Sequence, residues 1–300
     1  MRLVVVAAAV ALVACGCGTK APRNGLIYAW KAGGDLYAVK PDGTGLHKVA
    51  SLPRSGVTPV RVGEWILYDN VVAITTPKMS YYRFDLWKMR PDGSKKQLVA
   101  RNVPLDALSP DGKTIAFSAD ACITKALDDR CDEAVDNPME LYTIDDDGTH
   151  RRRLTHNGGY DGDPSWSPDG KFIAYATDTG TRVMRRDGSD VRHLTKGEFS
   201  SLAIWSPRGD RLLIAPFGER WRVVSTSGKT LSVLKPGPPG PKWRPVWSPD
   251  GRQIAYVAKD AKQWTGEDPL QIWVMNADGS GRHPITRTFG WGVASWAPAS

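Results

Sequence analysis

The 300-residue chain carries 40 Lys and Arg residues against 32 Asp and Glu residues, and 41% of its residues are hydrophobic. A nucleic-acid-binding surface would need a basic face with interleaved aromatic residues, and we expect no such surface in this chain. The length exceeds that of an average domain, but all-β proteins reach this size as single units. We therefore expect one large all-β unit and no nucleic acid partner.

The chain begins with an export signal. One Arg precedes a run of apolar residues over 3–14, which is shorter than the roughly 20 residues needed to span a bilayer and has the length of a signal-peptide core. The run ends in Leu-Val-Ala-Cys, which is similar to the bacterial lipobox, and this similarity implies acylation of Cys15 and removal of residues 1–14. Residues 15–24 would form a flexible tether. We expect an exported protein held by its lipid on the periplasmic or cell-surface side; an ordinary cleaved signal is the alternative.

A four-residue turn recurs along the chain and is followed each time by an apolar strand. The turns lie at residues 109–112, 167–170, 206–209 and 248–251, with Pro second and Gly fourth, as a type I turn prefers. Trp stands directly before three of them, at Trp166, Trp205 and Trp247. We call the strand before this turn strand A and the strand after it strand B.

A second hairpin follows each strand B. Asp-Gly or a related pair joins two further strands, C and D, at residues 42–43, 92–93, 147–148, 187–188, 227–228 and 278–279. Asp-Gly between apolar runs is a strong hairpin signal. Six units of four antiparallel strands, repeated about every 40–45 residues, predict an all-β fold, a six-bladed β-propeller.

The first blade lacks a strand A of its own. The phrase Ser-Trp-Ala-Pro at residues 295–298 repeats the strand A pattern at the end of the chain. We therefore expect the C-terminal strand to complete the first blade, which would remove an open sheet edge.

The repeated Trp-Ser-Pro-Asp-Gly phrase with its downstream Asp-Gly hairpin resembles the TolB-type, WD-like six-bladed propeller. The resemblance covers residues 25–300. It implies a periplasmic or surface protein that binds other proteins, and we expect a monomer.

Two cysteines lie together in an insertion of the third blade. Cys122 and Cys131 are close in sequence, and an exported compartment allows them to pair. We expect a disulfide between them, which would stabilise the fold by about 2.5–3 kcal/mol through chain entropy.

Irregular sequence is concentrated on one face of the predicted propeller. The A–B and C–D turns are short, whereas the B–C and D–A connections on the other face hold insertions at 70–83, 119–138, 156–163, 236–244, 259–269 and 289–292. Rigid scaffolds present functional residues on such loops, and Trp, Tyr and Arg dominate binding hot spots. The candidate binding residues are Tyr81, Tyr82, Arg83, Tyr160, Asp161, Asp163, Lys242, Trp243, Arg244, Trp264 and Trp291.

Signatures of catalysis and metal binding do not occur in the sequence. The chain has no His-Glu-x-x-His, no Gly-x-Ser-x-Gly and no Cys-x-x-Cys. We expect no catalytic residue, no metal and no cofactor. An enzyme working at the mouth of the central channel would have Asp161, Asp163, Lys242 and Arg244 as its ionisable residues.

Three functions are compatible with this pattern. The favoured one is non-enzymatic binding of an envelope protein or peptide on the loop-rich face. A receptor for carbohydrate or cell-wall polymer is the second, since exposed Trp and Tyr stack on sugar rings. A lyase or hydrolase acting in the central channel is the third.

Overall fold

The computed structural model describes residues 24–31, 35–51, 60–62, 65–75, 80–90, 94–120, 139–197, 202–216, 220–235, 245–259, 270–286 and 291–298. Within these ranges, 24 strands form six antiparallel sheets of four strands each. The all-β six-bladed propeller predicted from the repeats is thereby confirmed. The signal segment, the tether, Cys15, Cys122 and Cys131 lie outside the described residues.

The first three blades follow the predicted order of strands A to D. Their sheet orders are β24-β1-β2-β3, β4-β5-β6-β7 and β8-β9-β10-β11. The strands are β24 (Trp291–Pro298), β1 (Asn24–Lys31), β2 (Asp35–Val39), β3 (His47–Ser51), β4 (Val60–Val62), β5 (Trp65–Thr75), β6 (Ser80–Met89), β7 (Gln97–Ala100), β8 (Ala107–Leu108), β9 (Thr114–Asp120), β10 (Met139–Asp145) and β11 (Arg152–Arg153).

Blades 4 to 6 repeat the same order along the chain. Their sheets are β12-β13-β14-β15, β16-β17-β18-β19 and β20-β21-β22-β23. The strands are β12 (Asp161–Trp166), β13 (Phe172–Thr177), β14 (Gly180–Arg185), β15 (Arg192–His193), β16 (Ala203–Trp205), β17 (Arg211–Ile214), β18 (Trp221–Ser225), β19 (Thr230–Leu234), β20 (Val246–Trp247), β21 (Gln253–Lys259), β22 (Leu270–Asn276) and β23 (His283–Pro284).

The recurring turn between strands A and B is held by its own side chains. In blade 4, the Ser167 hydroxyl donates to Asp169 at 2.6 Å and accepts the backbone N–H of Phe172 at 2.9 Å. Blades 3 and 6 repeat this arrangement. Blade 5 has Arg208 in place of the Asp, and there Asp210 accepts the Ser206 hydroxyl at 2.8 Å. The turn therefore keeps its serine hydrogen bond even where its sequence varies.

Replacing Ser167 with Ala tests this turn. Ser167 is buried, and the substitution removes one donor and one acceptor. We expect the free energy of unfolding to fall by about 1–2 kcal/mol in urea denaturation, since a buried group loses its partner. Ser227, an exposed turn residue bonded to Ser225, is the control, and Ser227→Ala should cost less than about 0.5 kcal/mol. Equal losses in the two variants would contradict this account.

Two of the strand A tryptophans bridge neighbouring blades. Trp166 of blade 4 donates its indole N–H to the Ala107 carbonyl of blade 3 at 3.3 Å. Trp247 of blade 6 makes the equivalent bond to Ile204 of blade 5 at 3.1 Å. Both rings are buried. They belong to the scaffold, because each joins two sheets that share no backbone ladder.

The glycines of the C–D turns pack against the preceding blade. Gly43 of blade 1 has a φ of 81°, and a Cβ there would lie 2.6 Å from the carbonyl oxygen of Ile285 in blade 6. Gly148 of blade 3 approaches the Val99 carbonyl of blade 2 in the same way. Only glycine suits both the dihedral angle and the close approach. Blades 1 and 6 are therefore neighbours, like blades 3 and 2.

The last strand of the chain lies in the sheet of the first three strands. β24 pairs antiparallel with β1, so that Trp296 is opposite Ile27 and Trp291 is opposite Lys31. The sequence predicts a D–A loop at 289–292 that contains Trp291, and for Trp291 this prediction is wrong. Its backbone begins strand β24, because the ladder with β1 continues to Lys31.

Candidate functional site

The loop face is the face that carries the B–C and D–A connections. The described residues that reach it include the far ends of β5 and β6, the connections from β7 to β8 and from β11 to β12, the turn between β13 and β14, and the ends of β1 and β24. These parts supply the geometry of the candidate site.

The B–C insertion of blade 2 is a β-hairpin and not a loop. β5 continues to Thr75 and β6 starts at Ser80, and these two residues are opposite each other. Their neighbours are shorter, since β4 pairs only with residues 65–67 and β7 only with residues 86–88. Residues 70–75 and 80–84 therefore extend past the rest of the sheet as a two-stranded ribbon, which we call the blade 2 ribbon. The prediction of an insertion at 70–83 on this face is correct, but its prediction as a loop is wrong, because these residues form a β-hairpin.

Arg83 fixes the base of the blade 2 ribbon. Its Nε and Nη2 atoms donate to the two carboxylate oxygens of Asp85 at 2.8 and 2.9 Å. Asp85 is buried and also accepts the backbone N–H of Asn102, at 3.1 Å, from the D–A connection. Such bidentate pairs are among the stronger hydrogen-bonded contacts. Arg83 is thus a positioning residue for the ribbon.

Blade 3 has a stronger version of the same arrangement. The Glu140 carboxylate is completely buried and accepts hydrogen bonds from Arg153 Nη2 at 2.9 Å, Thr155 Oγ1 at 2.5 Å and the backbone N–H of Gly158 at 3.2 Å. A buried carboxylate is tolerated only when it is paired and hydrogen-bonded in this way. Glu140 therefore anchors the connection that leads from β11 to β12.

Tyr160 stands at the end of this anchored connection. Its backbone N–H donates to Asp178 at 3.0 Å, and its hydroxyl donates to Asp163 at 3.2 Å. A Cβ at Gly162 would lie 2.5 Å from the Tyr160 hydroxyl oxygen, so glycine there leaves space for the ring. Asp163 itself has a φ of 50°, next to a register shift in β12. The half-buried Tyr160 ring is held in one position beside the innermost strand of blade 4.

Asp161 is buried and is part of the scaffold. It is 1% exposed and accepts the Asn157 side-chain amide at 2.7 Å. Burial raises the pKa of the Asp161 carboxyl, and the nearby Glu140 charge acts in the same direction, while the neighbouring Thr155 hydroxyl and the Asn157 amide oppose the rise. We therefore leave Asp161 out of the proposed contact surface.

The remaining candidates are only partly placed by the structure. Tyr81 and Tyr82 lie on β6 in the blade 2 ribbon, opposite Ile74 and Ala73. Trp291 begins β24. The candidates outside the described residues are Lys242, Trp243, Arg244 and Trp264.

Sequence reasoning missed an acidic residue that recurs in strand C. Asp35, Asp85 and Glu140 each precede a Leu-aromatic pair in blades 1 to 3. The Asp35 carboxylate pairs with the Lys48 ammonium group of β3 at 2.9 Å. In the same way, Asp85 accepts the N–H of Asn102, just after β7, and Glu140 accepts a hydrogen bond from Arg153 of β11. An acidic residue before a Leu-aromatic pair recurs in the sequence, and this pattern could have identified the three residues.

Two kinds of feature are not found in the described part of the chain, a cluster of metal ligands and an apolar helix of membrane-spanning length. Among those residues no group of three His, Cys, Asp or Glu side chains could hold a metal ion. Nor does a helix there have the length and apolar character needed to cross a membrane.

The sequence profile of the TolB beta propeller domain matches residues 131–300. The chain belongs to this family. It is 25% identical over 257 residues to an uncharacterised protein of Agrobacterium fabrum, with 78% of each chain covered. It is also 28% identical over 137 residues to a protein TolB homolog of Chlorobium chlorochromatii, where the match covers 40% of this chain but only 28% of the relative.

Solved structures of TolB-type proteins share the fold. TolB from Acinetobacter baumannii superposes with a TM-score of 0.65 at 19% identity, covering 91% of this chain and 66% of that one. A protein assigned as TolB from Agrobacterium tumefaciens superposes with a TM-score of 0.60 at 20% identity, covering 92% and 93%. An oligogalacturonate lyase from Vibrio parahaemolyticus reaches 0.51 at 12% identity, covering 86% and 78%. At these identities the likeness concerns the fold alone.

Proposed function

We propose that this TolB-type propeller is an exported, lipid-anchored protein without enzymatic activity, and that it binds a protein or peptide partner of the cell envelope on its loop face. The observation that carries the proposal is the fixed position of Tyr160 on that face. Glu140 anchors the connection before it, and Asp163 and Asp178 hold the residue itself. A preorganised aromatic residue lowers the entropic cost of binding.

The polar groups around Tyr160 favour binding over chemistry. Glu140 receives several hydrogen bonds, and Asp161 is buried and accepts the Asn157 amide. These carboxylates hold the backbone of the site and face donors from the protein itself. The fold shared with a lyase carries no activity to this chain, because one propeller fold hosts many functions. A cell-wall glycan remains the second candidate ligand, since a fixed tyrosine ring also suits stacking on a sugar.

Site-specific crosslinking tests the loop face. We expect p-benzoylphenylalanine at position 160 to form a discrete protein adduct in intact cells, identified by mass spectrometry. Lys171, exposed on the A–B turn of the same blade, is the matched position on the opposite face. Adducts of equal yield at the two positions would contradict the proposal.

A second arm separates a protein partner from a glycan. Tyr160→Ala should lower the adduct yield of a nearby probe at Asn157, while Tyr160→Phe, which keeps the ring, should preserve most of it. Pelleting with purified cell-wall sacculi tests the glycan. Pelleting that Tyr160→Ala abolishes, with no protein adduct, would assign the site to a polymer.

The lipid anchor is tested separately at Cys15. We expect Cys15→Ser to release the protein from the membrane fraction or to block processing, because the lipobox cysteine carries the acyl chains. Cys17→Ser is the matched control and should partition like the wild type. Unchanged membrane partition and unchanged mass of the Cys15→Ser protein would show that export uses an ordinary signal.

The predicted pairing of Cys122 with Cys131 is checked in the same material by counting free thiols.

A further inference from the structure

The outer strand of blade 5 exposes two large apolar side chains. β19 runs from Thr230 to Leu234, and Leu231 and Val233 are each 51% exposed, whereas Leu234 is completely buried. Leu231 lies at a register shift of the β18–β19 ladder, where Ser232 is opposite Val223 and Thr230 is opposite Val224, so alternation alone does not place its side chain. Leu231 and Val233 are exposed to the same extent, and they form one apolar strip on this outer strand.

The other outer strands are better protected against pairing. Natural edge strands are usually blunted by charge or by proline. Charged or potentially charged residues or proline occur in four of the other five, namely His47 and Lys48 in β3, Arg152 and Arg153 in β11, Arg192 and His193 in β15, and His283 and Pro284 in β23. β7 also lacks charge but exposes a single large apolar residue, Leu98 at 40%.

β19 is the outer edge strand of the blade 5 sheet. β19 pairs with β18 on one side, and in the described part of the chain no strand pairs with its other side. The neighbouring blade touches it through the Ser232 hydroxyl, which donates to the Ala277 carbonyl at 3.2 Å. An edge of this kind offers backbone donors and acceptors to an extended chain.

Positive charge surrounds this edge. Lys229 and Lys235 flank β19 and are exposed. Arg282 of blade 6 donates to the Lys235 carbonyl at 2.8 Å, and Arg192 of blade 4 donates to the Thr226 carbonyl at 3.1 Å. Asp278, in the adjacent blade 6 turn, accepts two hydrogen bonds from Ser280. The strip is thus an uncharged apolar edge between cationic ends.

This charge distribution selects the occupant. If two copies of the chain paired antiparallel about Ser232, Lys229 of one copy would face Lys235 of the other, and like charges directly opposite are destabilising. A lipid surface would match the charges but would supply no hydrogen bonds in strand register. An extended segment with carboxylates at its ends satisfies both the backbone edge and the lysines.

We propose that β19 is a docking edge for an extended acidic peptide segment, which adds a fifth strand to blade 5. Two apolar side chains of the segment, at alternate positions, pack on Leu231 and Val233. Acidic residues at its ends meet Lys229 and Lys235. This surface lies on the rim of the propeller and is separate from the loop face.

The test uses the full protein and a fluorescein-labelled heptapeptide, Asp-Thr-Val-Thr-Val-Thr-Asp, in fluorescence anisotropy. We expect it to bind at least about tenfold more tightly than the same peptide with Lys at both ends, a difference of about 1.4 kcal/mol. A version N-methylated at alternate residues should lose binding, because it cannot complete the ladder. The double variant Leu231→Asp/Val233→Asp should also lose binding, and Leu98→Asp in β7 is the matched control that should retain it.

Several outcomes would overturn the proposal. Equal affinity for the acidic, Lys-ended and N-methylated peptides would do so with the wild-type protein alone, even if the double variant failed to fold. An equal loss in Leu98→Asp would show a general surface effect. Dimers in sedimentation that the double variant abolishes would assign the edge to a second copy. Cosedimentation with phosphatidylglycerol vesicles that the double variant abolishes would assign it to lipid. Each result leaves the crosslinking test at Tyr160 unaffected, so the two proposals fail separately.

Discussion

Replacing Trp296 with Ala is expected to lower the free energy of unfolding by about 3–5 kcal/mol, the range for truncating a buried aromatic residue. Trp296 is 2% exposed and packs in a cluster that joins residues of blades 1 and 6, including Ile27 and Val257. It also lies on β24, which pairs with β1. The substitution therefore removes packing between the two ends of the chain.

Deleting residues 291–300 should cost more than the substitution. The deletion removes β24 entirely and leaves the inner edge of β1 without its partner. We expect loss of a single cooperative transition in urea denaturation followed by circular dichroism, or a protein that aggregates through the exposed edge. Trp205→Ala is the matched comparison, because it truncates the equivalent tryptophan inside one continuous stretch of chain. A deletion variant with the wild-type melting temperature would contradict the structural role of β24.

Sequence patterns predict this fold well because each blade is specified locally. The serine and aspartate of the A–B turn bond to each other two residues apart, and the C–D turn needs only Asp-Gly. The tryptophan before the turn is equally local. Such signals repeat with the blades, so a single sequence is sufficient to count the blades and to order their strands.

The parts that escaped prediction depend on contacts between distant residues or between blades. The blade 2 ribbon contains Val71, Val72 and Ile74, which favour strands, but these residues lie outside the repeat that predicts the other strands. Glu140 holds Gly158 across a connection that no repeat describes. The loop face was foreseeable from topology, whereas the anchors that position Tyr160 required the structure.

A buried carboxyl at the junction of blades 2 and 3 gives the second large effect. Asp69 lies on β5 and is 5% exposed. Burial raises its pKa to about 7, and the charge of the neighbouring Asp106 adds to the rise. Hydrogen bonds from the backbone of Asp69 itself and of Leu105 act in the opposite direction and lower the pKa. The native protein therefore holds a proton on Asp69 at a pH at which the unfolded chain has released it.

The sign of the pH dependence follows from that difference. Between pH 3.8 and about 7 the native state binds one proton more than the unfolded state at this group, so the contribution of Asp69 to stability falls as the pH rises. A shift of this size corresponds to about 4 kcal/mol once the pH exceeds the native pKa. This loss of stability is complete once the pH exceeds about 7, and it does not increase at higher pH.

Replacing Asp69 with Asn should remove this loss, because the amide has nearly the shape of the protonated carboxyl and stays neutral at every pH. We expect the variant to match the wild type near pH 4 and to exceed it progressively up to pH 7, by as much as about 4 kcal/mol in urea denaturation. Asp106→Asn is the partner control. Asp106 accepts the Ser118 N–H and hydroxyl at 2.7 and 2.8 Å, and removing its charge should lower the pKa of Asp69 only in part, since burial remains. Stability curves of wild type and Asp69→Asn that run parallel from pH 4 to pH 8 would show that Asp69 is ionised in the native protein, with its charge balanced by groups of blades 2 and 3.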